Sequence, residues 1–173
     1  MKFVRGGLQM TTIRDCIAPD RNPKVPSIKL PEGSIDTHVH IFESQYPLFE
    51  GRGYNPPDST LDDLKHLHSQ LGVSRVVYTQ PSPYGVDNSA ILKGMKVMND
   101  ETPGRARGVC AIKMDVSDEF LEDLDKQGIK GVRLNMDNIG GMPIGLDEIP
   151  KLEARIKDLC WHVDYLFQVK DIY

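Results

Sequence analysis

From residue 34 onward the sequence alternates between short apolar runs and amphipathic runs, four times over, and then reaches a fifth apolar run. The strand candidates are residues 34–42, 74–82, 106–114, 130–136 and 161–169. Between them lie four helix candidates with start and stop signals. Thr60 and Asp63 form a capping-box pattern, Leu61, Leu64, Leu67 and Leu71 make one stripe, and Gly72 stops the helix. The second helix runs from Asn88 to Met98, and the third is capped by Ser117 and ends at Gly128. The fourth extends from about Leu146 to Leu159, with Pro150 tolerated in its first turn.

Strand–helix repetition of this kind requires a parallel sheet with right-handed crossovers. Two α/β architectures share the pattern, the doubly wound open sheet and the closed (β/α)8 TIM-barrel type. Polar residues at the strand ends favour the barrel. One unit averages about 32 residues here, so eight units need roughly 250. The chain stops at Tyr173, and the expectation is therefore an N-terminal part of a barrel, the first four βα units plus strand five, cut short at the C-terminus.

Residues 1–32 carry Arg, Lys and Pro without a sustained period and read as a poorly ordered lead-in, with residues 33–173 as the barrel part. They lack the apolar run of a signal peptide or membrane span, and Asp15 and Asp20 count against a transit peptide. A formal charge of −4 offers no footprint for nucleic acid or an anionic membrane. Cys16, Cys110 and Cys160 make no even framework and read as reduced thiols of a cytoplasmic protein.

On a strand, side chains two apart share a face. Asp36, His38 and His40 are thus expected on one face, with Ile35, Thr37, Val39 and Ile41 on the other. Two imidazoles about 7 Å apart on a strand can converge on one divalent ion such as zinc. Arg133 and Asn135 share a face of the fourth strand, where a guanidinium suits a carboxylate; a structural ion pair is the other reading. Tyr78, Gln80 and Ser82 share a face of the second strand, Ser82 opens a turn, and Asn88 caps the next helix. Tyr46, Arg52 and Tyr54 lie in a long loop that either reaches over a pocket or only stiffens the surface. His66 and His68 lie about 200° apart on a helix, cannot chelate one ion, and are expected at the surface. His162 and Asp164 share a face of the fifth strand.

The runs IDTHVHIF, GRGYNPP, QPSPYGVDNS, KGVRLNM and WHV, in this order, resemble the amidohydrolase-related family, and within it the 2-pyrone-4,6-dicarboxylate lactonase branch, from about residue 33 to about 168. The resemblance implies a (β/α)8 barrel and hydrolysis of a small carboxylated lactone, ester or amide. It makes His38 and His40 the catalytic pair on the first strand, and Tyr54, Ser82 and Arg133 the residues that contact the substrate's carbonyl or carboxylates. His38 and His40 bind a divalent metal in the wider superfamily, whereas lactonases of this branch work without one. In metal-dependent members an Asp on the eighth strand is the general base, and this sequence ends before its counterpart. A second basic residue after Arg133, expected for a dicarboxylate, is replaced by Met136, Asp137 and Asn138. The implied partner is a small-molecule substrate, with neither nucleic acid nor membrane. The rival readings are a decarboxylase of the same superfamily and an inactive remnant with unpaired strand edges.

Overall fold

The computed structural model describes residues 13–135 and 144–167. Its main sheet contains five parallel strands: β2 (Ile35–Val39), β4 (Arg75–Thr79), β5 (Ala106–Cys110), β6 (Ile129–Asn135) and β7 (His162–Leu166). Two short strands, β1 (Arg14–Asp15) and β3 (Tyr54–Asn55), pair with each other in parallel. The helices are α1 (Leu61–Leu71), α2 (Ser89–Glu101), α3 (Asp118–Lys126) and α4 (Ile149–Ile156). The strand expected over residues 161–169 runs partly outside the described residues, as does Met136.

Strand order decides between the two architectures that composition leaves open. A doubly wound sheet reverses direction at a switch point. Here the order is β2-β4-β5-β6-β7, each strand hydrogen-bonded to the next in sequence without reversal. With crossovers of one hand, unreversed order puts every helix on one face and leaves the other to curl inward, as in a barrel.

The apolar layer lies between the sheet and the helices. Val76, Tyr78, Ala106, Cys110, Ile129, Val132 and Leu134 from the strands meet Ile91, Met95 and Met98 of α2, Leu121 and Leu124 of α3, and Leu152 and Ile156 of α4. The tightest approach is at Gly108, where an added Cβ would lie 2.5 Å from Met95 Sδ and 2.6 Å from Ile129 Cδ1. No side chain fits there without displacing fully buried neighbours.

Most of the helix signals act as their chemistry requires. Thr60 and Asp63 cap α1 reciprocally, and Gly72 takes the left-handed conformation at φ 78°. Ser117 accepts from the Phe120 amide at the start of α3. Asn88 does something else. Its side chain spans to the next strand end, donating to the Ala111 carbonyl and accepting from the Ala111 amide, so it is unavailable as a helix cap. The fourth helix is broken into 3-10 turns at both ends, and only Ile149–Ile156 is α-helical.

From residue 13 the expected lead-in is largely irregular and exposed, yet it is held at two points. β1 pairs with β3, and the Arg21 side chain reaches Asp63 and the Asp58 carbonyl. The long loop after β2 is also tied down. Phe42 and Ser59 exchange backbone hydrogen bonds, and Glu43 accepts from the Leu61 amide at the start of α1.

Candidate active site

The first strand carries the two histidines, and an extra residue sets their direction. Asp36 is the register partner of Val76, and Val39 that of Tyr78. Three steps on β2 therefore match two on β4, a β-bulge that reverses side-chain alternation. Asp36 and Val39 consequently share the helix-facing side with Val76 and Tyr78, and His38 and His40 face inward. This corrects the expectation that Asp36 joins the histidines. Its carboxylate turns to α1, where His68 Nε2 donates to Oδ2 at 3.2 Å, while Oδ1 accepts from the His38 amide at 3.3 Å. His68 is only 1% exposed, so its expected surface position is also overturned. The Asp36 carboxylate gives its ring a reason to be inside. His66 does lie at the surface.

His38 and His40 meet edge to face, their ring centroids 5.1 Å apart. His40 Nδ1 lies 2.8 Å from the Thr79 carbonyl oxygen. A carbonyl only accepts, so Nδ1 carries the proton and Nε2 presents its lone pair to the interior. Burial, opposed by the Thr79 hydrogen bond and reinforced by the Arg133 and His38 charges, lowers the His40 pKa to about 4. The ring is therefore neutral at pH 7.

Arg133 faces inward from β6 and is buried, its Nη1 donating to the Gln80 carbonyl at 3.1 Å. The desolvated guanidinium is lowered from its ordinary pKa and sustained by the Asp164 and Tyr54 charges. Tyr54, on β3, is raised from its ordinary pKa by burial, while the nearby Ser82 hydroxyl and the Arg133 charge act to lower it. Ser82 opens the 3-10 turn Ser82–Tyr84 that follows β4 and is buried.

Sequence-predicted residues thus converge from four elements: His38 and His40, Ser82, Tyr54, and Arg133. Tyr78 does not join Ser82. β4 ends at Thr79, and Tyr78 faces the helices with its hydroxyl 2.8 Å from Met98 Sδ. Gln80 turns its amide to the Gly85 and Asp87 carbonyls. Tyr46 packs on Tyr84, and Arg52 donates to Asn55 of β3. Met136, Asp137 and Asn138 lie outside the described residues.

Asp164 joins this cluster from β7. Asp164 is the register partner of Arg133 on β7, and its Oδ2 lies 3.8 Å from His38 Nδ1. The inward parity of β7 was visible as His162 and Asp164 sharing a face; what they face was not. Two imidazoles converge, no group of three His, Cys, Asp or Glu side chains that could hold a metal forms among the described residues, and the Arg133 cation stands beside the pair.

Residues 35–171 match the model of the family described as Amidohydrolase. The chain is 35% identical over 153 residues to a 2-pyrone-4,6-dicarboxylate hydrolase of Comamonas testosteroni, covering 87% of this chain and 49% of that one. It is 28% identical to a 4-sulfomuconolactone hydrolase of Rhizobium radiobacter, covering 90% and 52%. A solved structure from Acinetobacter baumannii, described as a probable 2-pyrone-4,6-dicarboxylic acid hydrolase with citric acid bound, superposes with a TM-score of 0.67 at 27% identity, covering 77% and 49%. The chain spans about half the length of the curated relatives it matches.

Proposed function

Since the chain belongs to the amidohydrolase family, we propose that its inward face binds a small carboxylated lactone and takes part in hydrolysing it, in the reducing environment of the cytoplasm. The observation that carries this reading is a buried guanidinium, Arg133, within the fields of His40, Tyr54 and Asp164 at the ends of parallel strands. Barrel hydrolases place their chemistry at that end of the sheet. The relatives' names supply the lactone class, and the free thiols of Cys16, Cys110 and Cys160 suit the compartment.

Arg133 spends one N–H on Gln80 and has the rest of its fork for a ligand carboxylate. Tyr54 and Ser82 offer hydroxyls that orient the ester oxygen or the carbonyl. Hydrolysis adds water to the carbonyl carbon and breaks the ring C–O bond, leaving a carboxylate and a hydroxyl and releasing one proton to solvent. Negative charge grows on the carbonyl oxygen as water adds, and preorganised donors are most effective there. His40 cannot be that donor, because its only proton is given to Thr79. His38, whose Nδ1 lies 3.8 Å from Asp164 Oδ2, is the other imidazole on this face. The His40 Nε2 lone pair orients a water by accepting from it, and with a pKa of about 4 it is a poor proton store.

The test is ligand binding by the purified full chain, followed by the imidazole signals of His38 and His40 in NMR. A monocarboxylic lactone or its ring-opened acid is expected to shift both rings, and Arg133→Met to weaken binding by at least about tenfold. Arg133→Met binding as well as wild type would sink the reading.

A further inference from the structure

We propose that Asp164 is a specificity-determining residue: set beside Arg133 on the inward face, it selects ligands that carry one carboxylate flanked by a hydroxyl and turns away dicarboxylates. The inference rests on the reading of this face as a site for carboxylated lactones and adds the substrate class.

Arg133 and Asp164 are register partners on neighbouring parallel strands, whose backbones lie about 4.8 Å apart. Partners in register share a face, so guanidinium and carboxylate enter the same space. No ion pair joins them, and the Asp164 carboxylate has its one close contact among the described residues with His38, at 3.8 Å. Its side chain is 32% exposed, which leaves oxygen lone pairs open to a ligand. The Asp164 charge is felt at both Arg133 and His40.

A ligand carboxylate seated on Arg133 brings the adjoining part of its own skeleton in front of Asp164. A hydroxyl there donates to the carboxylate in a charge-assisted hydrogen bond. A second carboxylate there meets a like charge, at a cost that specificity by repulsion commonly uses. His40 offers a second carboxylate no compensating charge, being neutral with its proton committed to Thr79.

The experiment is isothermal titration calorimetry of the full chain and of Asp164→Asn with three probes: gluconate, with one carboxylate and several hydroxyls; glutarate, with two carboxylates and no hydroxyl; and butyrate, with one carboxylate alone. Wild type is expected to bind gluconate about tenfold more tightly than glutarate, and Asp164→Asn to bring the two within about threefold by gaining glutarate affinity. Asp164→Ser, which removes the charge in a smaller side chain, is expected to gain glutarate affinity likewise. Glutarate bound by wild type as tightly as gluconate overturns this inference alone and needs no variant. An unchanged ratio in both variants does the same. Failure of wild type to bind any of the three, butyrate included, overturns the carboxylate-site reading and this inference with it.

Discussion

The ring of His68 on α1 and the carboxylate of Asp36 on β2 lie 3.2 Å apart, and the same carboxylate accepts from the backbone amide of His38. This pair stands where the extra residue of β2 reverses side-chain direction. It holds the bulge, and the bulge aims His38 and His40 inward. The site's orientation is therefore secured from behind, by a residue on the helical layer.

His68→Leu is expected to cost about 1–3 kcal/mol of stability by leaving Asp36 without its buried donor. Asp36→Asn, which keeps an acceptor, is expected to cost less than Asp36→Ala. Urea unfolding of the three variants measures this. Equal midpoints for Asp36→Asn and Asp36→Ala would show that the hydrogen bond carries no weight.

Stability should fall with acid through His40. Its folded pKa, about 4, lies below the ordinary 6.5, so between these values the unfolded chain binds a proton that the folded chain refuses. The contribution is fully present above pH 6.5 and is lost as the pH falls towards 4. The shift corresponds to at most about 3 kcal/mol. His40→Asn, whose amide can still donate to Thr79, is expected to flatten the dependence in that window. A slope unchanged in His40→Asn would assign it to other groups.

Gly108→Ala is expected to destabilise by about 1–3 kcal/mol through overpacking against Met95 and Ile129. In a Met95→Ala background the same change should cost less, because the sulfur is gone. A double-mutant cycle reads the coupling, and additivity within about 0.5 kcal/mol would contradict the contact.

The pairing of β1 with β3 should tune carboxylate binding at the inward face from outside it. Asn55 accepts from Arg52 Nε and donates to Asp15, next to Tyr54. Asn55→Ala is expected to weaken carboxylate binding by about threefold to tenfold, the worth of one hydrogen bond. Calorimetry checks this, and wild-type affinity in the variant would separate the strap from the site.

Zinc at roughly 0.1 mM is expected to raise the melting temperature by less than about 2 °C, since two imidazoles beside a guanidinium make a weak site. A larger rise, abolished in His38→Ala, would show that the pair does hold a metal.

Much of this was readable from spacing. The five parallel strands, the α1 and α3 caps and the shared face of Arg133 and Asn135 follow from periodicity and turn chemistry, which are local. Spacing alone does not place Asp36, His68 and Tyr78, and the reason differs for each. Strict alternation predicts Asp36 beside His38, and only the register against Val76 and Tyr78 reveals the added residue. Tyr78 sits on a strand that ends one residue later, so its parity with Ser82 is never realised. His68 looked like a surface residue because its partner is 32 positions away in sequence.

The unreversed strand order also bears on how the molecule assembles. Partner residues in successive strands, Ile35 with Arg75, Val76 with Ala106, Gly108 with Ile129 and Gly131 with His162, are 40, 30, 21 and 31 positions apart. Loop-closure entropy grows only with the logarithm of such separations, so no pairing is much slower to find than its neighbours. Each strand pairs with one already synthesised, and a chain emerging from the ribosome can add βα units in the order in which they are made. Asp164 reaches Arg133 only when β7 pairs with β6, after β2, β4 and β5 are in place. The juxtaposition of the two thus reports on a later strand as much as on the histidines of the first.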